Sequence, residues 1–195
     1  MPRYSQGTFS AHSRAGGNPG PRDWVPAFAG TSGLPVTTIR IAEARWPDDR
    51  ETVETLFREY VASLAEDISF QNVDDELAGL PGKYARPGGV VLIAWDGDAP
   101  AGAVAYRMFE PGVCEMKRLY VRDAFRGRGV ARELANELID DARTRGFRTM
   151  LLDTLGSMQA ARALYRDLGF VPVAPYYANP LPGVMYMALE LSAGS

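Results

Sequence analysis

The chain has 195 residues and a net charge of −3, a length that suits one well-cored domain with or without a tail and argues against a second full domain. The acidic balance argues against a general polyanion binder, so any basic patch has to be local. A single cysteine, Cys114, and a single histidine, His12, exclude a disulfide framework and a Cys/His zinc cluster; with no apolar run near the ~18 residues of a membrane span, a cytoplasmic protein is expected.

Residues 1–35 are rich in Gly, Pro, Ser and Arg without periodicity, a composition that cannot bury enough apolar surface to offset its ordering entropy. A disordered tail is expected there. Its "HSRAGGNPG" and "WVPAFAGT" resemble translated bacterial intergenic repeats, which puts the expected natural start near Val36, and His12 is given no catalytic role. "VTTIRIAEA" then reads as a strand, and Pro47, Asp48, Asp49 and Glu51 form an acidic helix start. Val53, Leu56, Phe57, Tyr60, Val61 and Leu64 follow on one helical face. Residues 67–89 are less regular, with a short helix at "VDDELAGL" and a Pro/Gly-rich loop, and are a candidate lid.

"GGVVLIAWDGDAPAGAVAYRMFEPGVCEMKRLYVR" divides at Asp96–Pro100 and Glu110–Gly112 into three strands of an antiparallel meander. Val130, Leu134, Ala135, Leu138, Ile139 and Ala142 define a helix that Gly146 ends as a left-handed cap. "FRTMLLDT" is a strand covered on both faces, a helix spans roughly 157–168, and "VMYMALEL" supplies the last strand. The expected class is α/β, with a mixed sheet.

Between the meander and the first long helix after it stands "RGRGVA". Backbone N–H groups at a helix start have no intrahelical partners, and Gly127 and Gly129 remove the Cβ atoms that would keep an anion away. Six basic residues, Lys117, Arg118, Arg122, Arg126, Arg128 and Arg132, stand against Asp123 alone between Met116 and Arg132. A Walker loop is absent, and the dinucleotide fingerprint fails because Arg132 occupies the place of its third glycine. On the glycines alone, an ordinary solvated turn remains an equal reading.

Three ordered motifs, "CEMKRLYV", "RGRGVA" and "AARALYRDLGF", make residues 39 to 191 resemble the GNAT (Gcn5-related) N-acetyltransferase family. The resemblance implies a mixed, mostly antiparallel sheet with splayed central strands and helices on both faces. It also implies acetyl-CoA as co-substrate without a metal. The pyrophosphate is expected on Arg126 and the amides of Gly127, Arg128, Gly129, Val130 and Ala131, the pantetheine arm along Leu119, Tyr120 and Val121, and Ala161 beside the donor. Tyr165 matches the family tyrosine that protonates the departing thiolate, against the alternative of a core tyrosine. The family often has asparagine where this chain has Met158, which leaves that hydrogen bond absent or supplied by Ser157 or Gln159.

Amine acetylation also needs a base, and without a usable histidine a carboxylate or water must serve. Glu115, in an apolar strand and at the place of a glutamate used by the histone-acetylating branch, is the first candidate; a surface pair with Lys117 is the alternative. Asp153, near the end of the next strand, is the second, against a turn role. Tyr176, Tyr177 and Asn179 in "PYYANPLPG" are candidates to line an acceptor pocket, against a rigid surface loop. Cys114 reads as a small buried apolar residue and not as an acyl carrier. The expected acceptor is a small-molecule amine, with no nucleic acid or membrane partner and a monomeric or homodimeric state. Competing readings are acetylation of a protein N-terminus or lysine, a non-catalytic acyl-CoA sensor, and nucleic-acid binding through the arginines.

Overall fold

A computed structural model describes residues 38–64, 66 and 72–191; the expected disordered tail and start site lie outside them. In chain order come β1 (Ile39–Glu43), α1 (Arg50–Ala62), α2 (Val73–Ala78), β2 (Gly89–Asp96), β3 (Ala99–Glu110), β4 (Val113–Val121), α3 (Val130–Thr144), β5 (Thr149–Thr154), α4 (Gln159–Asp167), β6 (Val171–Val173) and β7 (Met185–Glu190). They build one seven-stranded sheet of order β1-β2-β3-β4-β5-β7-β6. Every neighbouring pair is antiparallel except β4 with β5.

Period-two alternation in the central strands divides the core between the two faces of the sheet. Val90, Leu92 and Ala94 of β2 pack with Leu134, Leu138 and Ala142 of α3 and with Tyr165 of α4. Their neighbours Val91 and Ile93 face the other way, onto Val53, Leu56 and Phe57 of α1 and Leu77 of α2. Helices therefore cover both faces, and the apolar runs of β2 and β3 follow from that double cover. Gly146, at φ +82°, ends α3, and Phe147 N–H returns to Ala142 O at 3.1 Å in the left-handed cap that the sequence predicts. Outside this core, Arg86 bridges Glu43 (2.8 Å) and Asp141 (2.7 Å), and Tyr106 Oη–H donates to Asp141 at 2.6 Å, tying the β1 edge to α3.

Three expectations are corrected and one strand is added. Within 67–89, the described residues 72–89 are no lid: Leu77, Leu80 and Tyr84 are buried, and Arg50 donates to the carbonyls of Leu77, Ala78 and Leu80. Helix α1 starts at Arg50, because Asp49 accepts from Arg45 N–H (2.8 Å) and the Arg45 guanidinium (3.0 Å) instead of capping the helix. Helix α4 begins at Gln159, with the Ser157 hydroxyl engaged by Glu66 at 2.7 Å. Strand β6 is an addition: three residues around Pro172 are too few to show alternation, and proline is tolerated because β6 is the sheet edge.

The feature that positions the site is a parting of strands. Pairing between β4 and β5 runs only through Val113↔Thr149, Cys114↔Met150 and Glu115↔Leu151. Beyond Glu115, β4 continues to Val121 alongside β3 while β5 follows β7, and a narrow cavity lies between the two where their pairing has stopped. A bulge marks β4 within this stretch: Lys117 opposes Ala105 and Tyr120 opposes Ala103, so β4 carries one residue more than its partner. Arg118 holds φ +60° there, in the left-handed region that non-glycine residues avoid at a cost of roughly 1–2 kcal/mol.

Candidate active site

A cleft of about 760 Å³ opens beyond the gap, between the far end of β4 and α4. One wall is β4 from Leu119 to Val121, another is α4 with Met158 and Ala161, and the floor is the loop that starts α3. Gly127 and Gly129 hold φ +74° and +82°. A Cβ built on Gly127 meets nothing within 4 Å, and one on Gly129 meets only Glu133 Oε1 at 3.9 Å, so both glycines serve left-handed backbone and leave open space over it. Helix α3 has no side-chain cap, which leaves the amides of Val130 and Ala131 directed past its N-terminus. Bare amides, a helix dipole and apolar walls fit a ligand with a diphosphate and a long, weakly polar arm.

Of the donor-site residues expected from the sequence, Leu119, Tyr120, Val121, Arg126, Gly127, Gly129, Val130, Ala131 and Ala161 line this cleft. Arg128 does not. Its guanidinium reaches Asp96 at 2.8 Å and lies 5.5 Å from the Phe125 ring centroid. The basic island is also less basic than its stretch of chain suggests. Lys117 meets Asp153, Arg118 meets Glu76, Arg122 meets Glu59, Arg126 meets Asp123 and Arg132 meets Asp167, all at 2.8–3.0 Å. Nearly all these carboxylates come from distant segments, which removes the basis for a polyanion-binding stripe.

A narrower cavity continues into the crotch of the gap, sharing Tyr60, Leu119 and Met158 with the main cleft. Lys117, Arg118, Asp153, Thr154 and Tyr165 line it. Tyr165 is buried against Phe170, with ring centroids 5.8 Å apart, and burial raises its phenol above the ordinary range, with the negative Asp153 adding to the shift. Its hydroxyl is therefore protonated at every working pH. Asp153 accepts from Lys117 Nζ at 3.0 Å and from Tyr177 Oη–H at 2.9 Å.

Glu115 lies deeper, 1% exposed at the last rung of the parallel pair. Arg107 donates to it at 2.9 Å, Lys117 stands 3.6 Å away, and Tyr176 Oη–H donates to its other oxygen at 3.1 Å. The carboxylate is enclosed by its partners and lines neither the cleft nor the narrow cavity. Tyr176, Tyr177 and Asn179 likewise turn inward. Asn179 Nδ2–H donates to Tyr177 Oη at 2.9 Å and Asn179 Oδ1 accepts from Leu181 N–H at 3.0 Å, while Tyr186 packs edge to face on Tyr176 (5.1 Å) and Tyr177 (5.4 Å), whose rings are tilted against each other at 5.5 Å. These residues back the two carboxylates and do not line the two cavities. The sequence offered Lys117 only as a surface partner of Glu115 and gave Arg118 and Tyr60 no individual role, because their shared cavity depends on how β4, β5 and α1 come together.

The sequence profile of the acetyltransferase (GNAT) family matches residues 40–170. The chain belongs to the GNAT acetyltransferase family. An uncharacterized N-acetyltransferase of Schizosaccharomyces pombe is 43% identical over 158 residues, covering 80% of this chain and 97% of that protein. The fold recurs in a GNAT acetyltransferase of Staphylococcus aureus Mu50 (TM-score 0.67, 15% identity, 80% of this chain and 100% of that one). It recurs again in the Salmonella typhimurium acetyltransferase yncA, solved with its cofactor acetyl-CoA (TM-score 0.64, 21% identity, 81% and 97%). This acetyltransferase is thus an acetyl-CoA-dependent N-acetyltransferase. Among its described residues no helix is long and apolar enough to cross a membrane, and no group of three or more His, Cys, Asp or Glu side chains is gathered as for a metal ion.

Proposed function

We propose that the enzyme moves acetyl from acetyl-CoA directly to the primary amine of a small metabolite, with the donor in the main cleft and the acceptor entering the narrow cavity. The observation that carries this reading is that Tyr165 and Asp153 share the wall of that cavity, which adjoins the donor cleft at Tyr60, Leu119 and Met158. In this reading the diphosphate lies on the amides of residues 127–131 and the pantetheine arm extends along Leu119–Val121, where β4 has lost its partner strand. A β4 amide polarises the thioester carbonyl.

The acceptor reacts as a neutral amine. Its nitrogen forms a bond to the thioester carbonyl carbon, and the C–S bond breaks as the tetrahedral intermediate collapses. One amine proton passes to Asp153, directly or through water, the thiolate takes a proton from the Tyr165 hydroxyl, and the proton on Asp153 returns to Tyr165 through solvent, so that one N-acetyl product and one free thiol result. Asp153 is chosen over Glu115 because, although lysine and tyrosine partners hold both carboxylates, Asp153 lines the narrow cavity and Glu115 does not. An acyl-cysteine route is disfavoured, since burial pushes the Cys114 thiol up to about 12.

Thiol release from acetyl-CoA with a panel of primary amines tests the reading. Turnover with at least one small amine is expected. Stabilisation by acetyl-CoA without thiol release for any amine would overturn it in favour of an acyl-CoA sensor.

A further inference from the structure

Two residues that line the narrow cavity each carry a buried polar atom with no hydrogen-bond partner among the described residues: Arg118 Nη2 and Thr154 Oγ1. Leaving a charged group's donor unpaired in the interior is costly, and native structures seldom do so without a ligand or a water to complete the set. Arg118 is 2% exposed at its side chain and spends Nε on Glu76 Oε1 at 3.0 Å, while Tyr84 Oη–H holds that same carboxylate oxygen at 3.0 Å. The guanidinium also lies 5.7 Å from the Tyr60 ring centroid. Its position is set by the β4 bulge at φ +60°, so a strained backbone holds a cation at the wall of a cavity beside the donor cleft.

We propose that Arg118 Nη2 and the Thr154 hydroxyl form a carboxylate clamp, and that the acetyl acceptor is a carboxylate-bearing amine of the α-amino-acid type. The cavity holds about 30 Å³, enough for a carboxylate head group alone, and the rest of the acceptor extends into the donor cleft that adjoins it at Tyr60, Leu119 and Met158. A planar guanidinium suits that head group. Lys117 and Asp153 share that wall as an ion pair, which leaves Arg118 as its net cation for the carboxylate and the Asp153 carboxylate to receive the amine end. A simple alkylamine leaves Arg118 Nη2 unpaired, and rejection of ligands that leave a buried polar group unsatisfied is a strong source of discrimination.

This inference rests on the acetyltransferase reading above, and its test separates the two. Thiol release is measured with matched pairs, each L-α-amino acid against its carboxamide, for the intact protein and for Arg118→Met and Thr154→Val. The expected result is a preference for the acid of on the order of 10- to 100-fold in kcat/KM, carried mainly in KM, that collapses in Arg118→Met and shrinks in Thr154→Val while acetyl-CoA binding by calorimetry persists. Thr154→Val also separates recognition from structure: removing an unpartnered buried hydroxyl should leave Tm unchanged or raised. Equal rates on acid and carboxamide in the unmodified enzyme overturn the clamp and leave the acetyltransferase reading standing. Absence of thiol release with every amine overturns both. Should Arg118→Met fail to fold, the matched pairs on the unmodified enzyme still decide.

Discussion

Lys117 Nζ reaches Asp153 Oδ1 at 3.0 Å across the mouth of the gap, two residues past the last paired rung of β4 and β5 on each strand. Where backbone pairing stops, an ion pair takes over, and both side chains are about nine-tenths buried. Removing one partner leaves an uncompensated charge in a closed site. Lys117→Met is expected to destabilise the protein by about 3 kcal/mol, read from urea unfolding, with much of the loss recovered in Lys117→Met/Asp153→Leu. Equal stability of Lys117→Met and the parent protein would show that this ion pair is idle.

Tyr165→Phe keeps the ring against Phe170 and deletes the hydroxyl. Under the proposed mechanism kcat falls by about 100-fold, while acetyl-CoA affinity by calorimetry changes little. Because burial holds the phenol above its ordinary value of about 10, Tyr165 should add no falling limb to the rate profile below that pH.

Gly129 stands at φ +82° at the start of α3. Valine there is expected to weaken acetyl-CoA binding at least about tenfold through backbone strain and a side chain over the anion site, with a stability loss of about 1–2 kcal/mol. Calorimetric Kd values for Gly129→Val and Gly129→Ala measure it; unaltered affinity in both would remove the loop from the donor site.

Asp141 carries a pH signature. Burial pushes its carboxyl up, but hydrogen bonds from Arg86 and Tyr106 and the Arg86 charge outweigh burial and hold it below the usual range. A group depressed in the folded state adds stability above its unfolded value of about 3.9 and loses it as pH falls through the folded value. The stability gap between parent and Asp141→Asn should accordingly be full near pH 7 and shrink below about pH 4, as urea midpoints at the two values would report.

Cys114 is buried and its thiol is pushed up to about 12 by burial. Iodoacetamide at pH 8 should leave the native protein unmodified by mass, and Cys114→Ala should turn over normally. A covalent acetyl-enzyme trapped at this residue would replace direct transfer with a two-step route.

What the sequence made legible was local. The meander showed through its turn residues, α3 through the spacing of Val130 to Ala142, and the open loop through Gly127 and Gly129, because each signal is carried by neighbours in the chain. The charge balance was not legible in the same way. Counting between Met116 and Arg132 gives a basic island, yet Glu59, Glu76, Asp96, Asp153 and Asp167 neutralise it from other elements. Glu115 and Asp153 look equivalent as strand carboxylates, and only packing separates the enclosed one from the one that lines a cavity. The left-handed backbone at Arg118 had no glycine to announce it, so the residue that organises the narrow cavity reads in sequence as one more arginine.

The parting of β4 from β5 leaves an unfinished seam in the middle of the sheet and not at its rim. If the pantetheine arm lies along Leu119–Val121, the donor stands in for the absent rungs, and the protein's resistance to heat becomes a gauge of how much acetyl-CoA surrounds it.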